Sequence, residues 1–170
     1  MHYLDNSATT VVSEKAAQKA FEIMTQTYGN PSSLHFMGLQ AERELEAARK
    51  SVAKRLGVQA DELYFTSGGT ESNNTALFGT AQAKKRRGNR IVVSAVEHSS
   101  IVEAANKRES DGFEVVRIAP RADGIIYADD VAAAVDSGTI LVSVMLVNNE
   151  TGAIMPIDKI FSEKKKKNPD

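Results

Sequence analysis

The chain has 170 residues, 42% apolar and 25% charged, a balance that suits one ordinary globular domain with a sizeable core. Twenty-one basic against 22 acidic residues leave a formal charge of -1, so no global attraction to nucleic acid or an anionic membrane follows. No cysteine is present, which excludes disulfides, thiolate metal sites and a thiol nucleophile among these residues.

The opening Met1-His2-Tyr3-Leu4-Asp5-Asn6 has neither a basic nor an apolar leader region. The most apolar stretch, 139–147, is too short to cross a bilayer. His2, His35 and His98 show no metal-ligand spacing. The expectation is a cytoplasmic protein with no membrane, nucleic-acid or metal partner.

In chain order, residues 14–28 place Ala17, Ala20, Phe21, Met24 and Tyr28 on one helical face. Ala41, Leu45, Ala48, Val52 and Leu56 form a second stripe, which Gly57 ends. Residues 63–66 read as a short strand, followed by Ser67-Gly68-Gly69-Thr70 and a helix toward Arg87 and Gly88. A strand over 90–95, a helix over 101–109 and a strand over 114–118 come next. A turn-rich connection with Pro120 and Gly124 leads to a short helix over 130–135. Residues 139–147 are apolar almost throughout, as expected of a central parallel strand buried on both faces. Pro156 opens a last helix that runs into Lys164 to Lys167, a solvated end, and stops at Asn168-Pro169-Asp170. This alternation predicts an α/β fold with a mostly parallel sheet and flanking helices.

Three motifs fall just beyond the C-terminal ends of predicted strands, where open α/β sheets bind ligands. In 66–72, two glycines between strand and helix leave backbone amides at a helix N-terminus, a place suited to phosphate. Thr70 adds a hydroxyl. The pattern also suits a plain capped turn, and it is not a Walker loop because no lysine follows the glycines. In 96–100, His98 can stack on a planar cofactor or move protons, or simply be hydrogen-bonded in a loop with Ser99 capping the helix. In 147–152, an asparagine can hold a ring hydroxyl or a carboxylate without adding charge, and an Asn-rich turn is the plainer alternative.

Together these residues resemble the NifS/IscS-type cysteine desulfurases of the class V aminotransferase family. The resemblance runs in order through 4–10, 29–35, 66–73, 97–98 and 147–152. It implies the large domain of a fold-type I pyridoxal 5'-phosphate enzyme, with residues 1–13 lining the active site and 14–170 forming the first part of that domain. By the same resemblance, Gly69 and Thr70 would hold the cofactor phosphate. His98 would stack on the pyridine ring and assist proton transfer as the catalytic residue. Asn149 would sit beside the ring hydroxyl and the substrate, and Ala8 and Asn30 would line the substrate entrance. The implied substrate is L-cysteine, whose sulfur passes to an enzyme thiol as alanine leaves. The sulfur then goes to an acceptor protein for iron–sulfur clusters or tRNA thiolation. A homodimer is implied.

The family's Schiff-base lysine follows a histidine, and none of the three histidines here precedes a lysine. The pyridine-pairing aspartate, a nearby glutamine and the persulfide-forming cysteine also have no counterpart. These gaps lead to the expectation of a truncated chain that does not desulfurate cysteine alone, with an incomplete sheet. A class V aminotransferase or lyase with another amino-acid substrate, or a non-catalytic binding remnant, stands as the alternative.

Overall fold

The structure is a computed structural model that describes residues 2–167, with side chains described as far as 163. Two compact units divide it, Met1–Phe65 and Thr66–Asp170.

The first unit holds two helices. α1 spans Glu14–Thr25 and starts where the Ser13 hydroxyl accepts the Ala16 amide (3.4 Å), satisfying one of the open donors of a helix start. α2 spans Phe36–Leu56 and ends at Gly57, whose φ of 71° is the left-handed conformation that glycine adopts at little cost. The helix expected over 14–28 stops at Thr25, short of Tyr28. There the Thr25 hydroxyl donates to the Phe21 carbonyl (2.7 Å) and closes the last turn. Gly29 follows so close to α2 that a Cβ would lie 2.2 Å from the Met37 carbonyl oxygen. The expected stripe of α1 is present but uncovered, with no residue of the helix buried.

Residues 63–66 are not a strand, contrary to expectation. A single 3₁₀ turn spans Ala60–Glu62, and the Leu63 carbonyl accepts the Arg49 guanidinium instead of a ladder amide. Extended backbone becomes a strand only with a partner, and none pairs with this segment among the described residues.

The second unit alternates α3 (Gly69–Lys84), β1 (Arg90–Ser94), α4 (Ser99–Ser110), β2 (Glu114–Ile118), α5 (Ala128–Ala134), β3 (Thr139–Ser143) and α6 (Ile157–Lys167). The strands form a parallel sheet in the order β2-β1-β3, with Val92 opposite Val116 on one side and Val142 on the other. Side chains alternate across a strand, and that alternation builds two cores. Ile91 and Val93 pack with Leu77 and Ala81 of α3 and with Ile101, Ala104 and Ala105 of α4. Val92 points the other way, into Ile126, Val131 of α5, Met155 and Ile160 of α6. The expected α/β layering with a parallel sheet is borne out.

Among the described residues, the strand expected to be central stands beside a single partner. β1, not 139–147, lies between two partners, and its Ile91, Val92 and Val93 are buried. β3 is shorter than expected and ends at Ser143, with its last three residues only half-buried. Pro156 stands just before α6, where its carbonyl accepts the Lys159 (3.1 Å) and Ile160 (3.0 Å) amides. The expected stop at Asn168-Pro169-Asp170 and the side chains of the lysine run lie outside the described residues. No helix among those residues is long and apolar enough to cross a membrane.

Candidate active site

β1 and β3 are parallel neighbours, so the segments leaving their C-terminal ends start side by side. Three polar side chains then lace the loops together. Ser94, buried at the last position of β1, donates its hydroxyl to Glu97 Oε1 (2.8 Å). The Met145 amide, just beyond β3, donates to the same oxygen (2.7 Å). The buried Asn148 donates Nδ2 to the Val96 carbonyl (3.1 Å).

Asn148 also organises its own loop. Its Oδ1 accepts the amides of Glu150 (3.0 Å) and Thr151 (2.9 Å) and the Thr151 hydroxyl (3.1 Å), which is an Asx turn with two added donors. Of the two adjacent asparagines, Asn148 is therefore consumed by structure. Asn149 is exposed, and its side chain makes no hydrogen bond among the described residues.

His98 opens α4 as its N-cap, with Nδ1 accepting the Ser100 amide (3.2 Å) and lying 2.8 Å from the Ser100 hydroxyl. The alternative in which Ser99 caps this helix is not what the structure has, since the imidazole one residue earlier reaches the open amide. His98 and Asn149 line one cleft of about 440 Å³ together with Val96, Glu97, Glu150 and Thr151.

The glycine loop joins this arrangement through α3. Asn73, one turn into that helix, donates Nδ2 to Ser100 Oγ on α4 (2.8 Å). At the loop itself, Glu71 Oε2 accepts both the amide and the hydroxyl of Ser67, each at 2.6 Å. The hydroxyl first and the amide second hold the Glu71 carboxyl below its ordinary range, because both stabilise the ionised form. Gly68 is extended (φ 167°, ψ 178°), and the amides of Gly69 and Thr70 fall in the first turn, where a helix offers no internal partner. A Cβ added at Gly68 or Gly69 would meet nothing within 4 Å, so the space before these amides is open to a ligand.

Ala8 and Asn30 belong to the first unit. Ala8 sits in a turn closed by its amide on the Asp5 carbonyl (3.2 Å), and Asn30 Oδ1 accepts the Ser32 amide (2.9 Å). Asn73, Glu97, Ser100 and Asn148 are the residues whose roles sequence reasoning missed. Only Asn148 carried a local signal, the Asn-x-x-Thr spacing to Thr151. Asn73 and Ser100 lie 27 positions apart, and only the packing of α3 on α4 brings them together. Among the described residues, no group of three or more His, Cys, Asp or Glu could hold a metal ion.

These features define an α/β unit with a cleft beyond the C-terminal ends of its strands, where open sheets of this kind bind ligands. The family model for aminotransferase class-V matches residues 2–169, and the chain belongs to that family. Membership implies pyridoxal 5'-phosphate as cofactor. A NifS/IcsS protein homolog from Lactobacillus delbrueckii subsp. bulgaricus is 51% identical over 94% of this chain and 42% of its own length. A cysteine desulfurase IscS from Methanosarcina thermophila is 40% identical over 93% of this chain and 39% of its own. The structure of a NifS-like protein superposes with a TM-score of 0.95 at 36% identity, covering 98% of this chain and 46% of that one. SspA in complex with cysteine gives 0.92 at 31% identity, covering 98% and 48%. The resemblance drawn from the five ordered motifs is borne out. The chain spans about two-fifths of the length of these curated relatives.

Proposed function

We propose that these residues supply the phosphate- and ring-binding side of a pyridoxal 5'-phosphate site in a cysteine desulfurase. The observation that carries this reading is a set of cross-ties: Asn73–Ser100 joins the first turns of α3 and α4, and Glu97–Met145 and Asn148–Val96 join the segments after β1 and β3. It sets an open helix start, an imidazole and an unpartnered amide near one another. Open amides and a space that a Cβ would not obstruct fit a phosphate.

Gly69 and Thr70 would bind the phosphate through their amides and the Thr70 hydroxyl. His98 would lie against the pyridine ring and handle a proton at Nε2. Asn149 would orient the ring hydroxyl and the substrate from its free amide. When bound, the cofactor supplies an electron sink for chemistry at the substrate's α-carbon. The substrate in this reading is L-cysteine, which a structural neighbour's description also names as bound to that protein. One cysteine and one enzyme thiol would give alanine and a persulfide, whose sulfur goes to an acceptor protein. The thiol and the lysine that anchors the cofactor are not among these 170 residues, which hold no cysteine and no His-Lys pair. A homodimer in the cytoplasm completes the reading.

The test is a titration of the chain with pyridoxal 5'-phosphate, followed by absorbance and by competition with inorganic phosphate. The expected result is noncovalent binding that phosphate displaces. Gly69→Asp should weaken it at least ~10-fold, since one charge-assisted hydrogen bond is worth about that much. Binding that ignores both Gly69→Asp and Asn149→Ala would sink the reading.

A further inference from the structure

We infer that Asn73 and Ser100 act as positioning residues that hold His98 Nδ1 as an acceptor and turn an Nε2–H toward the cleft. This deepens the proposed role of His98 and rests on it. The argument is a count of donors. Asn73 Nδ2 donates to Ser100 Oγ (2.8 Å) and occupies one of that oxygen's two lone pairs, leaving the hydroxyl proton for another acceptor. The acceptor beside it is His98 Nδ1, at 2.8 Å. The Ser100 backbone amide converges on the same nitrogen at 3.2 Å, and an amide can only donate. Two donors aimed at Nδ1 require a bare lone pair there, which leaves the ring proton on Nε2.

Burial makes the arrangement persistent. Ser100 is buried, so water does not readily replace its hydroxyl. Nε2 itself has no partner among the described residues, while the ring is exposed beside Asn149 in the cleft. The consequence is directional. At the cleft, His98 offers one N–H to an acceptor such as a phenolate, a carboxylate or a thiolate, and offers no lone pair at that edge. Because the relay starts on α3, the helix that begins at the glycine loop, phosphate-side packing and histidine tautomer are mechanically linked.

The test is long-range proton–nitrogen NMR on the ¹⁵N-labelled 170-residue chain, with His98→Gln assigning the ring among the three histidines. The wild type should show a bare Nδ1 and a protonated Nε2. Ser100→Ala should shift the tautomer ratio about fivefold toward Nδ1–H, the equivalent of one ordinary hydrogen bond. Ser100→Thr, which keeps the hydroxyl, should restore it. Asn73→Asp should reverse the relay, because a carboxylate takes the Ser100 proton and turns the oxygen lone pair toward Nδ1. A wild-type ring that is protonated on Nδ1 or averaged as in a free peptide would overturn the inference. So would a tautomer that ignores both Ser100→Ala and Asn73→Asp. The cofactor titration answers separately: a correct tautomer pattern without cofactor binding would sink the site reading and leave the relay intact.

Discussion

Residues 1–65 and 66–170 both carry helices with an apolar face, yet the two units treat that face differently. In the second unit, Leu77 and Ala81 of α3 and Ala104 and Ala105 of α4 close over Ile91 and Val93. In the first, Phe21, Met24 and Leu45 stand 67%, 76% and 37% exposed, and α1 buries nothing. Helical period therefore says which side chains share a face, and nothing about whether another element covers it. A sheet makes the difference. It presents a broad apolar surface on each side, and four helices of the second unit settle there.

The largest expected effect breaks or confirms that contrast directly. Leu77 is 1% exposed, so Leu77→Ala should cost about 2–5 kcal/mol, the usual loss for a buried leucine including the cavity it leaves. Phe21→Ala removes a larger side chain but should change stability by no more than about 0.5 kcal/mol, because that ring is already in water. Urea unfolding measured on both variants decides the matter. Equal losses would mean that the face of α1 is not the uncovered surface described above.

Much of this was legible in the sequence, and the failures share a cause. Glycine at 57 and the α/β alternation come from local backbone preference and period, so they were read correctly. The strand at 63–66 and the centrality of 139–147 were misread because pairing is a property of neighbours. Arg49, fourteen residues before Leu63, takes the carbonyl a ladder would need. Val92 gains partners on both sides from segments 24 and 50 positions away. At the site, the motifs themselves stood out, while the residues that tie them together did not. Serine at 100 and asparagine at 73 are unremarkable letters until α3 packs on α4.

The next effect sharpens the comparison inside a single loop. Asn148→Ala would strip the Val96 carbonyl and the Glu150 and Thr151 amides of their shared partner, at a cost of about 1–3 kcal/mol. Asn149→Ala, one residue on, should leave stability within about 0.5 kcal/mol and weaken only cofactor binding. Thermal melts with and without pyridoxal 5'-phosphate separate the two. If Asn149→Ala destabilises the free chain as much as Asn148→Ala, the division of labour between them is wrong.

The smallest expected effect lies at the start of the second unit, where order comes from charge rather than burial. Glu71 is exposed, yet the Ser67 hydroxyl and amide hold its carboxyl below the ordinary glutamate range. A carboxyl with a depressed native value stabilises the loop fully above the unfolded-state range and loses that contribution as pH falls through the lower, native value. The Ser67 amide resonance should therefore stay in place through the pH range where ordinary glutamates titrate, and move only at more acid pH. Glu71→Gln should remove that step and leave the resonance pH-independent. A Ser67 amide that titrates with the ordinary glutamates would show that the carboxylate does not hold the glycine loop. The open amides of Gly69 and Thr70 would then owe their geometry to α3 alone.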